Sequence, residues 1–372
     1  MTQQNTKQQH LLLAETQFGL GFLKNLTSEK SESLVFSPLS ISLALALVHS
    51  GAHGASKAEI EKVLLGGVKD KQFVEHFSNL AKSLKSAENE TEVNVANRVY
   101  LRDSAQINSD YLSRVSQNYD AGAESFDFQN SESAAKINGF IRDTTQGKLD
   151  NLVSSDSISD AVALLVNAVY FKGKWQEEFD LDGTGPKEFT KKFGEIEKIS
   201  FLTEREVDRG YSSDEVFEVL TLDYKDSNFK FAIFLPKTFN GLEGALKELD
   251  AGRFQNLLES LKRTYMNIEI PKFTVEKEMA LKETLTALGI SEIFTDHADL
   301  SGIAEDIKIS DGTHKALIEV NEEGTTAAAA TVIKCVPMCL RMEEPLNFKA
   351  NHPFLFALVR EGHPLFLGVF QG

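Results

Sequence analysis

Cysteine is nearly absent from this chain of 372 residues, in which Cys335 and Cys339 are the only two. The α-carbons of residues four positions apart in an extended chain are separated by about 13 Å, well beyond the roughly 7 Å that a disulfide spans. We therefore expect free thiols, which are typical of a reducing compartment. Two cysteines at this spacing near His352 match no zinc-ligand pattern, so we expect no metal and no other cofactor.

Basic charge is also scarce, because the 39 lysine and arginine residues are outnumbered by 55 aspartate and glutamate residues, for a formal net charge of −16. Nucleic-acid binding requires clustered lysine and arginine side chains that displace counterions from the phosphates. We therefore expect no nucleic-acid partner.

Long hydrophobic runs are missing as well. The longest, residues 35–48 and 161–171, are shorter than the roughly 20 residues that cross a bilayer as a helix. Residues 1–10 are polar, and the apolar run after them is interrupted at once by Glu15 and Gln17, which is not the pattern of a secretory signal. We expect a soluble cytoplasmic protein that does not bind membranes, and non-classical release from the cell stays an open alternative.

Catalytic motifs are absent too, including the G-x-S-x-G nucleophile elbow, H-E-x-x-H, the Walker loop and a complete G-x-G-x-x-G. A cysteine protease built from Cys335 or Cys339 with His314 or His352 has no supporting sequence signature. We therefore expect that the protein is not an enzyme.

The fold class follows from the distribution of periodic segments. A length of 372 suggests two or three domains of roughly 150 residues, yet no Gly/Ser/Pro-rich linker divides the chain, and we predict one α+β domain over residues 1–372. Apolar 3.6-residue periodicity predicts mostly helices over 11–128, with a strand at 93–101, and a further helix over 131–142. Runs rich in β-branched and aromatic residues predict strands at 162–171, 229–235, 266–275, 307–309, 315–320, 353–359 and 364–370.

The least ordinary segment is 322–332, which contains only small or β-branched uncharged residues after Gly324. Four alanines favour a helix, whereas the threonines and Val332 favour a strand. In a strand, alternate residues share a face, and the first four on one face are small: Thr325, Ala327, Ala329 and Thr331. The segment is either an exposed linker or a strand suited to a crowded sheet, and its position between β-rich segments favours the strand.

Nine short segments, taken in order, resemble the serpin family. They are FSPLSIS (36–42), TQGKL (145–149), LVNAVYFKGKW (165–175), IFLP (233–236), IPKF (270–273), LGI (288–290), ADLSG (298–302), the segment 322–332 and NHPFLF (351–356). The resemblance covers nearly the whole chain. It implies a fold of about nine helices around a central mixed sheet, with two further sheets and an exposed reactive-centre loop, here residues 322–345.

The resemblance implies an inhibitor that traps serine proteases in a covalent 1:1 complex as a suicide substrate. Its reactive bond is Met338-Cys339 if Glu322 is the seventeenth residue back from the cleaved bond, with Val336 and Pro337 flanking it. A methionine bait residue suits elastase-like, chymotrypsin-like or cathepsin G-like proteases, whereas a displaced register at Arg341 would suit trypsin-like ones. The implied hinge comprises Glu322, Glu323, Gly324, Thr325, Thr326, Ala327, Ala328, Ala329 and Ala330.

The resemblance also implies a shutter, a cluster of polar residues behind the central strands, comprising Ser37, Ser40, Asn167 and His314. Without a functional role, these residues would be buried polar groups satisfied by their neighbours, since an unpaired one costs roughly 1 to 3 kcal/mol. The two interpretations are compatible.

Two alternatives to serine protease inhibition stay open. The first is a non-inhibitory serpin that acts as a chaperone, carrier or storage protein, and the second is a cross-class inhibitor of lysosomal cysteine proteases. The hinge favours inhibition, because Thr325 to Ala330 contains none of the bulky, charged or proline residues typical of non-inhibitory members. We expect a monomer. We also expect no heparin binding, since the positive charges of Lys82 and Lys85 are offset by Glu88, Glu90 and Glu92.

Overall fold

Ten α-helices occur in the part of the chain that this computed structural model describes, residues 3–27, 32–88, 90–325 and 343–372. They are α1 (Gln3–Thr27), α2 (Pro38–His49), α3 (Gly54–Leu65), α4 (Asp70–Leu84), α5 (Ser109–Tyr119), α6 (Ser131–Thr144), α7 (Ser155–Ile158), α8 (Leu242–Glu248), α9 (Ala251–Glu259) and α10 (Lys282–Leu288).

Helix α2 lies in the larger hydrophobic core and begins at Pro38, directly after its N-cap residue Ser37. The hydroxyl oxygen of Ser37 accepts a hydrogen bond from the backbone N–H of Ser40 at 3.1 Å, and Pro38 occupies the first turn. This N-cap satisfies a donor that the helix leaves unpaired. Every residue from Pro38 to His49 is buried, which is expected of a helix that is apolar on all sides.

A six-stranded mixed sheet is built from β2 (Glu92–Arg102), β3 (Gly122–Phe126), β4 (Ala163–Lys174), β10 (Phe273–Ala280), β11 (Asp311–Val320) and β12 (Gly324–Thr325). Its path is β10-β11-β4-β2-β3, and β12 also pairs with β4. Strands β11 and β4 are parallel neighbours, whereas β4 is antiparallel to β2 and to β12. This is the central mixed sheet expected from the sequence.

Strand β4 is covered on both faces, as its continuous apolar sequence predicts. Its odd-numbered residues, including Val169 and Phe171, belong to the larger hydrophobic cluster, which also contains α2. Its even-numbered residues Leu164, Val166 and Ala168 belong to a second cluster, with residues of α6. Any strand that pairs with β4 therefore presents its side chains to the same two clusters.

The other nine strands form one hydrogen-bonded sheet with the path β1-β15-β14-β8-β7-β6-β9-β13, and β5 also pairs with β6. They are β1 (Leu34–Phe36), β5 (Gly185–Thr190), β6 (Ile196–Ser213), β7 (Phe217–Asp223), β8 (Phe229–Pro236), β9 (Lys262–Pro271), β13 (Leu346–Lys349), β14 (Phe354–Arg360) and β15 (His363–Phe370). The two further sheets expected from the sequence are thus connected, because β6 is long enough to pair with β5, β7 and β9.

The predicted strand 266–275 is two strands that belong to different sheets. Strand β9 ends at Pro271 in the nine-stranded sheet, and β10 begins at Phe273 in the six-stranded sheet. Between them, the N–H of Lys272 still bonds to the carbonyl of Ser200 at 2.8 Å. The apolar pattern continues through this crossing because both strands are partly buried, so periodicity alone does not reveal it.

The predicted strand 307–309 is wrong. Residues 307–309 are not in a strand, although Ile307 and Ile309 are both buried. Their apolar character reflects burial in the core rather than pairing in a sheet.

Within the described ranges, no helix combines enough length with enough apolar character to cross a membrane.

Candidate functional site

The four residues of the predicted shutter lie together behind the central strands. Asn167 on β4 and His314 on β11 are directly opposite each other in the parallel register. The Nδ2 group of Asn167 donates to the hydroxyl and to the backbone carbonyl of Ser40, at 2.6 and 3.1 Å. The backbone N–H of Ser37 donates to Nε2 of His314 at 3.0 Å. All four residues have no solvent-exposed surface.

The hydrogen bonds fix the protonation state of His314. Its Nδ1 contacts the side-chain oxygen of Asn167, which only accepts, so Nδ1 carries the proton. Its Nε2 must then accept from the N–H of Ser37. Burial lowers the pKa of His314 to about 3, because a charged imidazolium loses its hydration there. The neutral form is therefore the one that joins β11 to the start of α2.

A fifth member of the cluster, Asn97 on β2, was missed at the sequence level. The Nδ2 group of Asn167 also donates to the side-chain oxygen of Asn97, which lies directly opposite Asn167 in the antiparallel register. Three adjacent strands and α2 are thus linked through Asn167. Polar residues alternate with apolar ones in the predicted strand 93–101, so an asparagine there is not unusual. Its role could not be predicted, because the sequence does not tell which strand pairs with β2.

Gly324 and Thr325 of the predicted hinge already belong to the sheet. In β12, Gly324 is opposite Lys174 and Thr325 is opposite Gly173, antiparallel to β4. A β-carbon on Gly324 would lie 2.0 Å from the carbonyl oxygen of Gly173 and 2.8 Å from the α-carbon of Lys174. Only glycine permits this approach of the two backbones.

Several contacts hold Glu322 and Glu323 beside the end of β4. The backbone N–H of Trp175 donates to the carbonyl of Glu323 at 2.9 Å, and that of Phe179 donates to the carbonyl of Glu322 at 2.8 Å. The Glu322 carboxylate, which is almost fully buried, pairs with Lys272 at 2.9 Å. Burial opposes ionisation of Glu322, but the bond and charge of Lys272, together with further hydrogen bonds, outweigh it and lower the pKa of this carboxyl.

The side chain of Thr325 is fully buried, on the face predicted from its alternation with small residues. Its hydroxyl is 2.6 Å from the hydroxyl of Tyr224, and Tyr224 stacks on Trp175 with ring centroids 4.5 Å apart. The indole N–H of Trp175 donates to the carbonyl of Asn321 at 2.8 Å. The single tryptophan of the chain therefore touches the segment that leads into the hinge.

The remaining predicted site residues lie outside the described residues. They are Thr326, Ala327, Ala328, Ala329 and Ala330 of the hinge, and Val336, Pro337, Met338 and Cys339 around the reactive bond. These assignments stay predictions.

One trio among the described side chains brings potential metal-ligand atoms within 4.8 Å of one another, namely His49, Glu61 and Asp70. His49 is already bonded to Glu61 at 3.0 Å, and the Asp70 carboxylate pairs with Lys57 at 2.7 Å. These contacts already engage Nε2 of His49 and both carboxylates of the trio, and none of its members belongs to the shutter.

Comparison with known proteins identifies the family. Residues 13–371 match the model of the family described as serpin (serine protease inhibitor). The chain is 36% identical over 352 residues to serine protease inhibitor 42Dd of Drosophila melanogaster, an alignment that covers 93% of this chain and 91% of that protein. The chain therefore belongs to the serpin family, whose members are protease inhibitors and generally not enzymes. The α+β serpin fold expected from the sequence is confirmed.

Two solved structures illustrate the range of the fold. The thermophilic serpin tengpin in its native state superposes with a TM-score of 0.90 at 25% identity, over 100% of this chain and 95% of that one. Human thyroxine-binding globulin in complex with thyroxine superposes with a TM-score of 0.87 at 25% identity, over 97% of this chain and 98% of that one.

Proposed function

We propose that this serpin inhibits serine proteases as a suicide substrate, by inserting its reactive-centre loop between β4 and β11. The observation that carries the proposal is the arrangement of the central sheet. Strands β4 and β11 pair directly over residues 164–170 and 311–317, whereas β12 has already added to β4 beyond that pairing. The start of an additional strand is thus in place at the point where the two parallel strands cease to pair.

The register of β12 defines where a longer inserted strand would lie. Continuing its antiparallel pairing with β4 places Ala327 opposite Phe171 and Ala329 opposite Val169. Directly opposite residues of paired strands point to the same side of a sheet, and Phe171 and Val169 point into the larger hydrophobic cluster. Small side chains at these loop positions would therefore enter a packed core without overfilling it.

The same register brings the loop to the shutter. Thr331 would lie opposite Asn167, on the edge where Asn167 now faces His314. Insertion would therefore break the bond between Asn167 and His314 and place the Thr331 hydroxyl between them. The closed shutter acts as a barrier that holds the sheet in its present form until the loop is cut.

The trapping reaction begins like ordinary proteolysis. The protease serine oxygen attacks the carbonyl carbon of Met338, an ester bond forms between them, and the bond to the nitrogen of Cys339 breaks with transfer of a proton to the departing amine. Cleavage frees the loop to insert before water hydrolyses the ester. Insertion gains ladder hydrogen bonds and burial for the strand and carries the tethered protease away from its starting position.

The bait residue supports a target class by its chemistry. Met338 is unbranched and apolar, which suits the apolar specificity pockets of elastase-like, chymotrypsin-like or cathepsin G-like proteases. Pro337 and Val336 precede it, and trypsin-like proteases would require a basic residue. Inhibition of lysosomal cysteine proteases is a further outcome to be tested, since a thioester to such an enzyme would trap it in the same way.

The test is a panel of purified serine and cysteine proteases incubated with the intact protein. We expect a 1:1 complex that survives SDS with at least one elastase-like or chymotrypsin-like enzyme, and a cleaved protein that melts at a higher temperature than the intact one. Cleavage without any complex across the panel, together with no rise in melting temperature, would favour a non-inhibitory carrier or storage role.

The place of action follows as part of the proposal. A serpin whose only two cysteines, Cys335 and Cys339, are expected to be free thiols suits the reducing cytoplasm, where it would protect the cell from misdirected proteases. Fractionation with reducing and non-reducing detection of Cys335 and Cys339 tests this, and recovery mainly from the medium would contradict it.

A further inference from the structure

A cavity of about 490 Å³ is lined by none of the shutter residues described above. Its walls come from the last turns of α1, from α8, from the turn between β5 and β6, and from the ends of β14 and β15. Ligand-binding cavities in proteins have volumes of about 300 to 1,000 Å³ and mainly apolar walls with a few polar groups. The volume lies within that range.

The inner wall is apolar and buried. It includes Leu242 and Leu246 of α8, which are 7% and 5% exposed, and Val369 of β15, which is fully buried. At the mouth, Phe193 is 84% exposed, the largest exposure among the exposed large hydrophobic side chains of the described chain. An exposed aromatic side chain at a cavity mouth gains free energy when the apolar part of a ligand covers it and removes it from water.

The rim is positively charged, in contrast to the chain as a whole. Lys24, Lys192 and Lys247 line the cavity together with a single carboxylate, that of Glu243. Lys192 and Lys247 share this carboxylate, at 3.5 and 3.1 Å, and Lys24 donates to the carbonyl of Leu249 at 2.7 Å. Three cations and one anion leave an excess of two positive charges, on a protein whose net charge is −16.

We propose that this cavity binds a small amphipathic anion, an apolar chain or ring with one carboxylate. The apolar body packs between Leu242, Leu246 and Phe193, and the carboxylate lies at the rim near Lys192 and Lys247. The apolar wall supplies the driving force through buried area. The lysines fix the orientation and select an anion over a neutral molecule of the same shape.

The experiment uses octanoate as the anionic probe and 1-octanol as its neutral counterpart, titrated into the intact protein by calorimetry. We expect one saturable site for octanoate. Phe193→Asp removes the aromatic wall and adds repulsion at the mouth, and it should weaken octanoate binding by about tenfold or more. Leu181→Asp is the matched control, because Leu181 is also an exposed hydrophobic residue, 55% exposed, but does not line the cavity.

A second pair of variants tests the charge. Lys192→Gln should weaken octanoate binding by about threefold, the size of a surface ion pair, and leave octanol binding unchanged. Lys198→Gln, at an exposed lysine outside the cavity, should change neither the binding of octanoate nor that of octanol.

The proposal is overturned if octanoate shows no saturable binding up to about 10 mM, a very weak interaction for a ligand of this size. It is also overturned if Phe193→Asp and Leu181→Asp bind octanoate equally well.

Discussion

The Nδ1 atom of His314 donates a hydrogen bond to the side-chain oxygen of Asn167 across the boundary between β11 and β4. This bond joins the two strands between which the reactive-centre loop would insert. Both residues are also bonded to the start of α2. His314 accepts from the backbone N–H of Ser37, and Asn167 donates to the hydroxyl of Ser40. Opening the sheet therefore requires the exchange of several buried hydrogen bonds at one place.

Replacing Asn167 by alanine should destabilise the protein by about 1 to 3 kcal/mol, because His314 and Ser40 would lose buried partners. Urea unfolding measures this change. The matched control is Asn94→Ala on neighbouring β2, since Nδ2 of Asn94 is buried and has no hydrogen-bond partner. We expect the control to be close to neutral, and equal losses in the two variants would contradict the importance of the shutter bonds.

The pH dependence of stability should reveal the buried neutral His314. Its pKa of about 3 in the folded protein lies below the unfolded value of about 6.5. Between these values, the unfolded chain binds the extra proton, so stability falls as pH falls below about 6.5, by up to about 1.4 kcal/mol per pH unit. Above pH 6.5, this loss is absent.

The contribution of His314 must be separated from opposing ones. Burial disfavours the charged form of His363, but the Glu15 carboxylate at 2.7 Å outweighs it and raises the pKa of His363, which adds stability at low pH. The stability difference between the unmodified protein and His314→Gln cancels the His363 contribution. That difference should shift in favour of the variant as pH falls from 7 to 4, and a constant difference would argue against a buried neutral histidine.

Gly324→Ala should detach β12 from β4, because the added methyl group would overlap the carbonyl of Gly173. We expect slower inhibition of a target protease and a changed fluorescence of Trp175, which bonds to the carbonyls of Asn321 and Glu323. Gly185→Ala is a suitable control, since a β-carbon there meets nothing within 4 Å. Unaltered fluorescence and inhibition in Gly324→Ala would contradict the described position of the hinge.

Ala327→Arg should convert the inhibitor into a substrate, because the inserted strand would place the arginine opposite Phe171 in the core, where an unpaired charge is strongly disfavoured. Cleavage should continue while the covalent complex is lost. Thr326→Arg is the control, since position 326 would lie opposite Lys172, whose side chain is 36% exposed. A gel assay of complex against cleaved protein measures the partition, and equal trapping by both variants would contradict the predicted inward face.

Oxidation of the loop tests the bait assignment. The sulfoxide of Met338 is polar and costs desolvation in an apolar specificity pocket, so inhibition of elastase-like enzymes should slow markedly. Met338→Leu should keep the target class and resist the loss, and Met338→Arg should redirect inhibition to trypsin-like enzymes.

The fragment released by a target protease gives the independent check on the same assignment. N-terminal sequencing should find Cys339 as its first residue. A fragment that begins at Met342 would instead place the bait at Arg341, and the predicted preference for apolar pockets would then be wrong.

Several features of this protein were determined by local sequence alone. The Ser37-Pro38 pair specifies the start of α2, because a hydroxyl acceptor and a proline suit the first turn of a helix. The continuous apolar run 161–171 specifies a strand covered on both faces. The small residues from Thr325 onward indicate a strand suited to a crowded sheet, and Thr325 itself is buried accordingly.

Only the tertiary structure decided which distant residues meet. His314 and Asn167 are 147 positions apart, and Asn97 joins them through a third strand. The alternation of apolar residues tells which face of a strand is buried, but it does not tell which strand is its neighbour or in which register they pair. The close approach of Gly324 to Gly173 and the change of sheet after Pro271 depend on that pairing. For this reason, the family resemblance predicted the fold and named the shutter residues, whereas the hydrogen bonds between those residues had to be seen in three dimensions.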